Sequence, residues 1–410
     1  MIAEINPSKG KGIFEAPPSK SMAHRLLICA GLSEGKSIIK GISDSEDIKA
    51  TLDCLSAIGA EYEISGDTVT VNGADIRDIP EGAVLRCRES GSTLRFFIPI
   101  CLLGGKTFTL TGSKKLLSRP LSVYEKIFRE QGIVFEASEE KITLSGKLKS
   151  GIFEIPGDIS SQFVTGLLFV LPLLEENSVI KLLSPVESRS YINLTVEALA
   201  AFGVNIEWQD ENTLFIKGGQ HYKATDAKVE GDYSNAAFFE ALNLFGSEIE
   251  ITGLEPESLQ GDKVYKEYFR LLEKGEETID ISDCPDLGPI LFAVAAAKNG
   301  GTFTGTKRLK IKESDRSAAM AEELSKFGTK VTVNEDSVII DASGFHAPTG
   351  TLFGHNDHRI VMSCTVLLCL TGGKIEGAEA VRKSFPDFFE KLKKLGFEVK
   401  GDVFSDEYGI

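Results

Sequence analysis

The chain lacks what a membrane or nucleic-acid protein would need. Its longest apolar runs, such as residues 163–174, fall well short of the roughly 18 residues that span a bilayer. Cations are in deficit: 45 Lys+Arg stand against 60 Asp+Glu, a formal net charge of -15. That balance argues against a nucleic acid or an acidic membrane as the main partner, so any anionic ligand must be held by local cation clusters. No charged-then-apolar signal pattern opens the sequence, and a cytoplasmic location is expected. There is no C-x-x-C pair and there are only five histidines, which leaves little for zinc or thiol redox chemistry. Cys29, Cys54, Cys101, Cys364 and Cys369 lie in apolar helical runs, where a cysteine is usually a small buried hydrophobe. Cys87 and Cys284 lie near segments of functional character but have no obvious histidine partner. What is present is ordinary for a soluble globular protein: 410 residues, 42% hydrophobic and 26% charged, enough for two or more domains.

The order of elements repeats. A helix ends at a glycine-rich turn, a short strand follows, then a polar turn, a second helix and a two-stranded hairpin. In the first copy Gly35-Lys36-Ser37 leads into Ile38-Ile39. Asp44 or Ser45 caps a helix with Ile48, Leu52, Leu55 and Ile58 on one face, and Tyr62, Ile64, Val69 and Val71 alternate around Gly66-Asp67. The order returns after Gly105, Asn177, Gly246, Gly301 and Gly373, the fourth and sixth copies being shortened. With a period of roughly 55 to 70 residues, longer than solenoid repeats, these read as six compact βαβαββ units of an α/β (α+β) protein. A polar stretch at 223–231 divides them three and three, and the two halves are expected to face each other across a cleft. The string from Gly31 to Ser37 nearly matches a P-loop, but these glycines follow a helix and precede a strand, the reverse of the P-loop order; they read as C-caps.

Between these parts lie short segments in which serine or glycine sits beside a cation where a helix begins. PPSKSMAHR, from Pro17 to Arg25, places Ser19, Lys20 and Ser21 at a helix N-terminus, where free N–H groups and the helix dipole favour an anion. A capping serine beside a solvated lysine is the plainer reading. Ser90-Gly91-Ser92-Thr93 would let backbone approach a ligand closely. Ser118-Arg119-Pro120, Asp158 to Gln162 and Glu187 to Tyr191 complete the first half. In the second half acids join the cations: Cys284-Pro285-Asp286, Lys312-Glu313-Ser314-Asp315-Arg316, Asn356-Asp357-His358-Arg359, and Arg382-Lys383 before Ser384-Phe385-Pro386-Asp387. Acid–base chemistry on an anionic substrate needs this mixture, cations to hold charge and a carboxylate or imidazole to move a proton. Plainer alternatives exist: paired charges on a solvated helix start for KESDR, an N-cap for Asp286 and a turn for Arg119; His355 and His358 could form a metal pair, but there are only five histidines and no third ligand is suggested.

Taken in order from residue 17 to 389, PPSKSMAHR, SGSTLR, SRP, DISSQF, ESRSYI, CPD, KESDR, NDHR and RKSFPDFF resemble the 5-enolpyruvylshikimate-3-phosphate synthase family, the 3-phosphoshikimate 1-carboxyvinyltransferases of the shikimate pathway to chorismate and the aromatic amino acids. The resemblance implies a two-domain inside-out α/β barrel, three βαβαββ units per domain with helices inside and sheets outside. It puts residues 13–227 in one domain and 1–12 with 228–410 in the other, with crossovers near 11–13 and 226–230. The implied substrates are phosphoenolpyruvate and shikimate 3-phosphate, with no cofactor and no metal; a monomer is expected, as is competition of the inhibitor glyphosate with phosphoenolpyruvate if Gly91 leaves room.

By the same resemblance Ser21, Arg25, Ser160, Ser161, Gln162, Ser188, Tyr191, Asp286 and Lys312 surround shikimate 3-phosphate. Lys20, Gly91, Arg119, Gln162, Arg316, Arg359 and Lys383 surround phosphoenolpyruvate. Asp286 is expected to take the 5-hydroxyl proton and Glu313 to work at carbon 3, with Lys20 and His358 assisting near the leaving phosphate. Arg308 stands where some members have a substrate-binding asparagine, and is left without a role. Two other readings compete. The enolpyruvyl transferase acting on UDP-N-acetylglucosamine uses a loop cysteine, which residues 112–118 lack. A non-catalytic anion binder would have no reason to set Asp286 and Glu313 among cations.

Overall fold

The computed structural model describes residues 1–404 except 76, 77, 80 and 276. Contacts divide the chain into Pro18–Glu230 and a discontinuous unit of Met1–Pro17 with the residues from Gly231 onward. The dividing points lie a few residues beyond the expected 12 and 227, and strand pairing is the reason. Strand Lys11–Glu15 runs parallel to Glu248–Thr252, which keeps residues 13–15 with the discontinuous unit. Strand Ala227–Lys228 runs parallel to Lys36–Lys40 and holds its end of the chain in the other.

In the contiguous unit three four-stranded sheets share one plan. Val84–Arg86 pairs in parallel with Thr107–Thr111, which pairs antiparallel with Lys141–Ser145, which carries the edge strand Val134–Ala137. The sheet through Ile152–Ile155, Ser178–Leu182, Thr213–Ile216 and Ile206–Trp208 repeats it. So does the first sheet, where Tyr62 faces Val71 and Ile64 faces Val69 across the hairpin at Gly66. Its opening strand, however, is Ala227–Lys228, supplied from the far end of the unit. Strands such as Lys36–Lys40 alternate exposed and buried, so each sheet has a wet face and a core face. Helices Lys20–Gly31, Gly91–Ile100 and Ser161–Val170 are apolar nearly all round and almost wholly buried, which puts them at the centre.

Glycines set how closely these helices pack. A Cβ on Gly166 would lie 2.2 Å from Tyr124 Oη and 2.6 Å from the Arg95 carbonyl. Gly166 therefore lets the 91–100 and 161–170 helices meet, with the Tyr124 hydroxyl donating to the carbonyls of Arg95 (2.8 Å) and Phe163 (3.2 Å). A Cβ on Gly31 would lie 2.3 Å from Leu55 Cδ2, and the helix is capped at Leu32. Gly31 is thus a packing glycine rather than the expected C-cap. Gly35, at φ +105, makes the turn between helix and strand.

The discontinuous unit has its own core, centred on Tyr233–Leu244, Gly288–Ala297 and His358–Thr371. The sheet through Thr278–Asp280, Gly301–Thr304, Ser337–Asp341 and Lys330–Val333 follows the plan of the other unit. The copy beginning at Gly373, short in sequence, is complete in space: Ile2–Ile5 lies antiparallel between Gly373–Glu376 and Val399–Gly401, with Leu352–Phe353 at the edge. The copy beginning at Gly246 has, among the described residues, only the pair Lys11–Glu15 and Glu248–Thr252.

Candidate active site

The sequence-flagged segments collect at helix N-termini in both units. In Pro18–Glu230, Ser19 caps the helix Lys20–Gly31 by accepting from Met22 N at 3.3 Å. Lys20 Nζ meets Asp47 Oδ2 at 2.8 Å, with only 14% and 11% of the two side chains exposed, so Lys20 is not a solvated surface lysine. One turn on, Arg25 is buried and donates from Nε to Thr195 Oγ1 (2.9 Å), from Nη1 to the Ser21 carbonyl (2.6 Å) and from Nη2 to the Tyr191 carbonyl (2.9 Å). These are neutral oxygens, and among the described residues no carboxylate pairs with Arg25. Burial lowers its guanidinium to about 10. A buried cation without a counter-charge is a standing attraction for an anion.

The close approach at Gly166 brings two more N-termini side by side. Arg95 Nη1 donates to Gln162 Oε1 (2.6 Å), and Gln162 Nε2 donates to Ser92 Oγ (2.9 Å). Ser90 and Ser160 cap these helices, accepting from Thr93 N and Gln162 N, and Ser161 is buried beside them. A Cβ on Gly91 would fall 2.5 Å from Arg119 Nη1, so the end of the Arg119 guanidinium lies against bare backbone, while Arg119's own backbone turns after the helix Lys114–Leu117. Ser188 sits at φ +55 before the helix Arg189–Ala201, and its carbonyl accepts from Tyr191 N. Arg189 is drawn off to the ring of Trp208, 4.1 Å away.

In the discontinuous unit the charged segments form one network. Asp286 Oδ1 accepts from Lys312 Nζ (3.2 Å) and Arg316 Nη1 (2.9 Å), and Oδ2 from Arg359 Nη2 (3.1 Å). Arg316 also meets Glu313 Oε2 (2.6 Å) through Nη2 and Asp357 Oδ2 (2.9 Å) through Nε, with its side chain 1% exposed. KESDR is therefore no solvated helix start, and Asp286 does not cap the following helix, whose N-cap is Leu287. Asp357 caps His358–Thr371 through Arg359 N and also accepts from Ser314 Oγ. Burial works against the charge on Arg316, but Asp357, Glu313 and Asp286 outweigh it and raise its pKa. Burial alone would raise the Asp357 carboxyl; Arg316 outweighs it and holds Asp357 below the ordinary carboxylate value. Lys312 is lowered by burial, which Asp286 only partly offsets. Lys383 Nζ donates to the Asn356 carbonyl (2.8 Å), and His358 is buried with Nδ1 4.0 Å from Asp357 Oδ1. His355 and His358 do not turn towards a common point: His355 bonds to Glu323 (2.9 Å) while His358 lies beside Asp357.

Acid groups inside a shell of cations at clustered helix starts are the mark of chemistry on anions, and the whole-chain comparison says of which kind. The sequence pattern of EPSP synthase (3-phosphoshikimate 1-carboxyvinyltransferase) matches residues 5–392. The chain belongs to the EPSP synthase family. A 3-phosphoshikimate 1-carboxyvinyltransferase from Clostridium perfringens is 42% identical over 420 residues, covering 97% of this chain and 99% of that protein. One from Clostridium kluyveri is 41% identical over 416 residues, covering 96% and 97%. The fold is shared with an EPSP synthase from Acinetobacter baumannii (TM-score 0.79, 24% identity, 98% and 99% covered) and an enolpyruvyl transferase from Streptomyces tendae (TM-score 0.79, 14% identity, 97% and 98% covered).

Within each unit of this EPSP synthase family chain, further groups that do not stand out in the sequence bond to these cations or lie beside them. Asp47 holds Lys20, and Ser234 Oγ accepts from Arg359 Nη2 at 3.0 Å. Thr165 and Thr195 share a hydrogen bond at 2.8 Å beside Arg25. Arg308 is buried and donates to the Ser282 carbonyl, two residues before Cys284-Pro285-Asp286. Cys87 and Cys284 are buried like the other five cysteines, and burial pushes the Cys284 thiol well up. That is the state of an inert thiol.

Proposed function

We propose that this chain transfers the enolpyruvyl group of phosphoenolpyruvate to the 5-hydroxyl of shikimate 3-phosphate and releases phosphate. The observation that carries the reading is the Asp286 carboxylate shared by Lys312, Arg316 and Arg359, with Glu313 on the same Arg316. In this reading Asp286 takes the hydroxyl proton as the oxygen bonds to carbon 2, while Glu313 delivers a proton to carbon 3. The tetrahedral adduct then expels phosphate as Glu313 takes a proton back from the new methyl group, restoring the double bond. Lys20 and His358 assist the departing phosphate. Arg316, Arg359 and Lys383, with Lys20, Gly91, Arg119 and Gln162, hold phosphoenolpyruvate. Arg25, with Ser21, Ser160, Ser161, Ser188, Tyr191 and Lys312, serves shikimate 3-phosphate; its uncompensated charge suits a phosphate ester.

A phosphate-release assay tests the whole: release is expected only when both substrates are present, and release from phosphoenolpyruvate alone, or none with both, refutes the assignment. The Gly91 contact gives a finer check. Gly91→Ala places a methyl against the far end of Arg119, a group able to shift, so the melting temperature should change by no more than about 2 °C. KM for phosphoenolpyruvate should rise about fivefold as Arg119 is displaced, roughly 1 kcal/mol. An unchanged KM would remove Gly91 and Arg119 from that pocket.

A further inference from the structure

Helix Arg316–Lys326 grips the segment before Asp357 at two points on one face. At its first residue Arg316 holds Asp357. Two turns further on, Glu323 is fully buried and accepts from Phe353 N (2.9 Å), His355 Nε2 (2.9 Å) and Lys326 Nζ (2.8 Å). The grips are seven residues apart on the helix, about 10.5 Å of rise. The four steps from Phe353 to Asp357 would reach about 13 Å if extended. The slack is taken up in a turn: Asp357 N donates to the Gly354 carbonyl at 2.9 Å, and the two residues between, His355 and Asn356, have φ +50 and +52.

Positive φ at both central residues is the type I′ pattern, which favours glycine and tolerates asparagine or aspartate. Histidine enters this region more readily than most residues with a Cβ but less freely than glycine, so a bond that fixes its side chain would steady the turn. The imidazole bond to Glu323 is such a bond. Burial pushes the Glu323 carboxyl up, but its bonds from His355, Lys326 and Phe353 outweigh this and hold it below the ordinary value. The turn sits among groups assigned above to the reaction, since the Asn356 carbonyl receives Lys383 Nζ, and Asp357, His358 and Arg359 follow directly.

We propose that Glu323 is a positioning residue for phosphoenolpyruvate, pinning the left-handed His355-Asn356 turn so that Lys383 and Arg359 are held in place. This rests on the assignment of those two cations to phosphoenolpyruvate. Glu323 touches no substrate; it acts through the turn.

The test is steady-state phosphate release by the full-length enzyme, varying each substrate in turn. Glu323→Gln is expected to raise KM for phosphoenolpyruvate about tenfold and leave that for shikimate 3-phosphate within about twofold. Two further variants separate pinning from simple packing, since both delete the imidazole but only glycine accepts positive φ freely. His355→Ala should raise KM for phosphoenolpyruvate about threefold or more, and His355→Gly less than half as much. An unchanged KM in Glu323→Gln, both KM values rising in step, or equal effects of alanine and glycine at 355 overturns the proposal. If Glu323→Gln does not fold, the alanine and glycine pair alone decides. Amide hydrogen exchange at residues 354–358 needs no substrate and separates this proposal from the functional reading. Faster exchange in Glu323→Gln supports the pin even for an enzyme of other specificity, and unaltered exchange refutes it.

Discussion

Arg316→Met should both unsettle the fold and stop the reaction. The guanidinium is 1% exposed and is bonded to Asp286, Glu313 and Asp357. Removing it strands the fully buried Asp357 without its counter-charge, and breaking such a pair typically costs about 3–5 kcal/mol. For a unit of this size that is a drop in melting temperature of about 8–15 °C, measurable by calorimetry. The pH dependence gives a second check. Arg316 holds Asp357 below its ordinary pKa, so this stabilisation is present above the unfolded carboxylate value and is lost as pH falls through the folded one. In the variant the stranded carboxyl can instead take up a proton as the solution is acidified. The gap in melting temperature between wild type and variant should therefore narrow from pH 7 towards pH 4. A gap that is small at pH 7, or that widens on acidification, would show that the pair does not carry this stability.

Glu313→Ala should separate chemistry from folding. Glu313 is 21% exposed and meets Arg316 at 2.6 Å, and its loss leaves Arg316 with Asp286 and Asp357. The melting temperature is expected to fall by only a few degrees. Turnover should fall on the order of 10² or more, the usual loss for an acid–base group, with KM for shikimate 3-phosphate nearly unchanged. Undiminished kcat would remove Glu313 from proton transfer and leave it a partner of Arg316.

The segments that carry charge into a helix start were legible because they interrupt an apolar period: KESDR, NDHR and PPSKSMAHR stand out against the buried runs that follow them. The hairpins were legible from alternation around Gly66-Asp67 and its counterparts. Acids inside helices were not. Asp47 lies in the first turn of Glu46–Ala57, where an acid is commonplace, and Glu323 stands three residues before Lys326 like any surface ion pair. Only packing shows that Glu323 is buried and Asp47 nearly so. The apparent shortening of the sixth repeat had a similar cause, because its missing strand lies at residues 2–5, far from the rest in sequence.

That displaced strand bears on how the polypeptide emerges from the ribosome. Every strand of the three sheets in Pro18–Glu230 lies inside that stretch, so this unit is complete in sequence once residue 230 has been made. Ile2–Ile5, synthesised before all of it, must wait for Gly373–Glu376 and Val399–Gly401. This strand, made before its neighbours, is thus among the last to find its place, and until they are made it has neither of its sheet partners. The discontinuous unit folds late by construction, and a nascent chain halted before residue 373 lacks the neighbours of its own beginning.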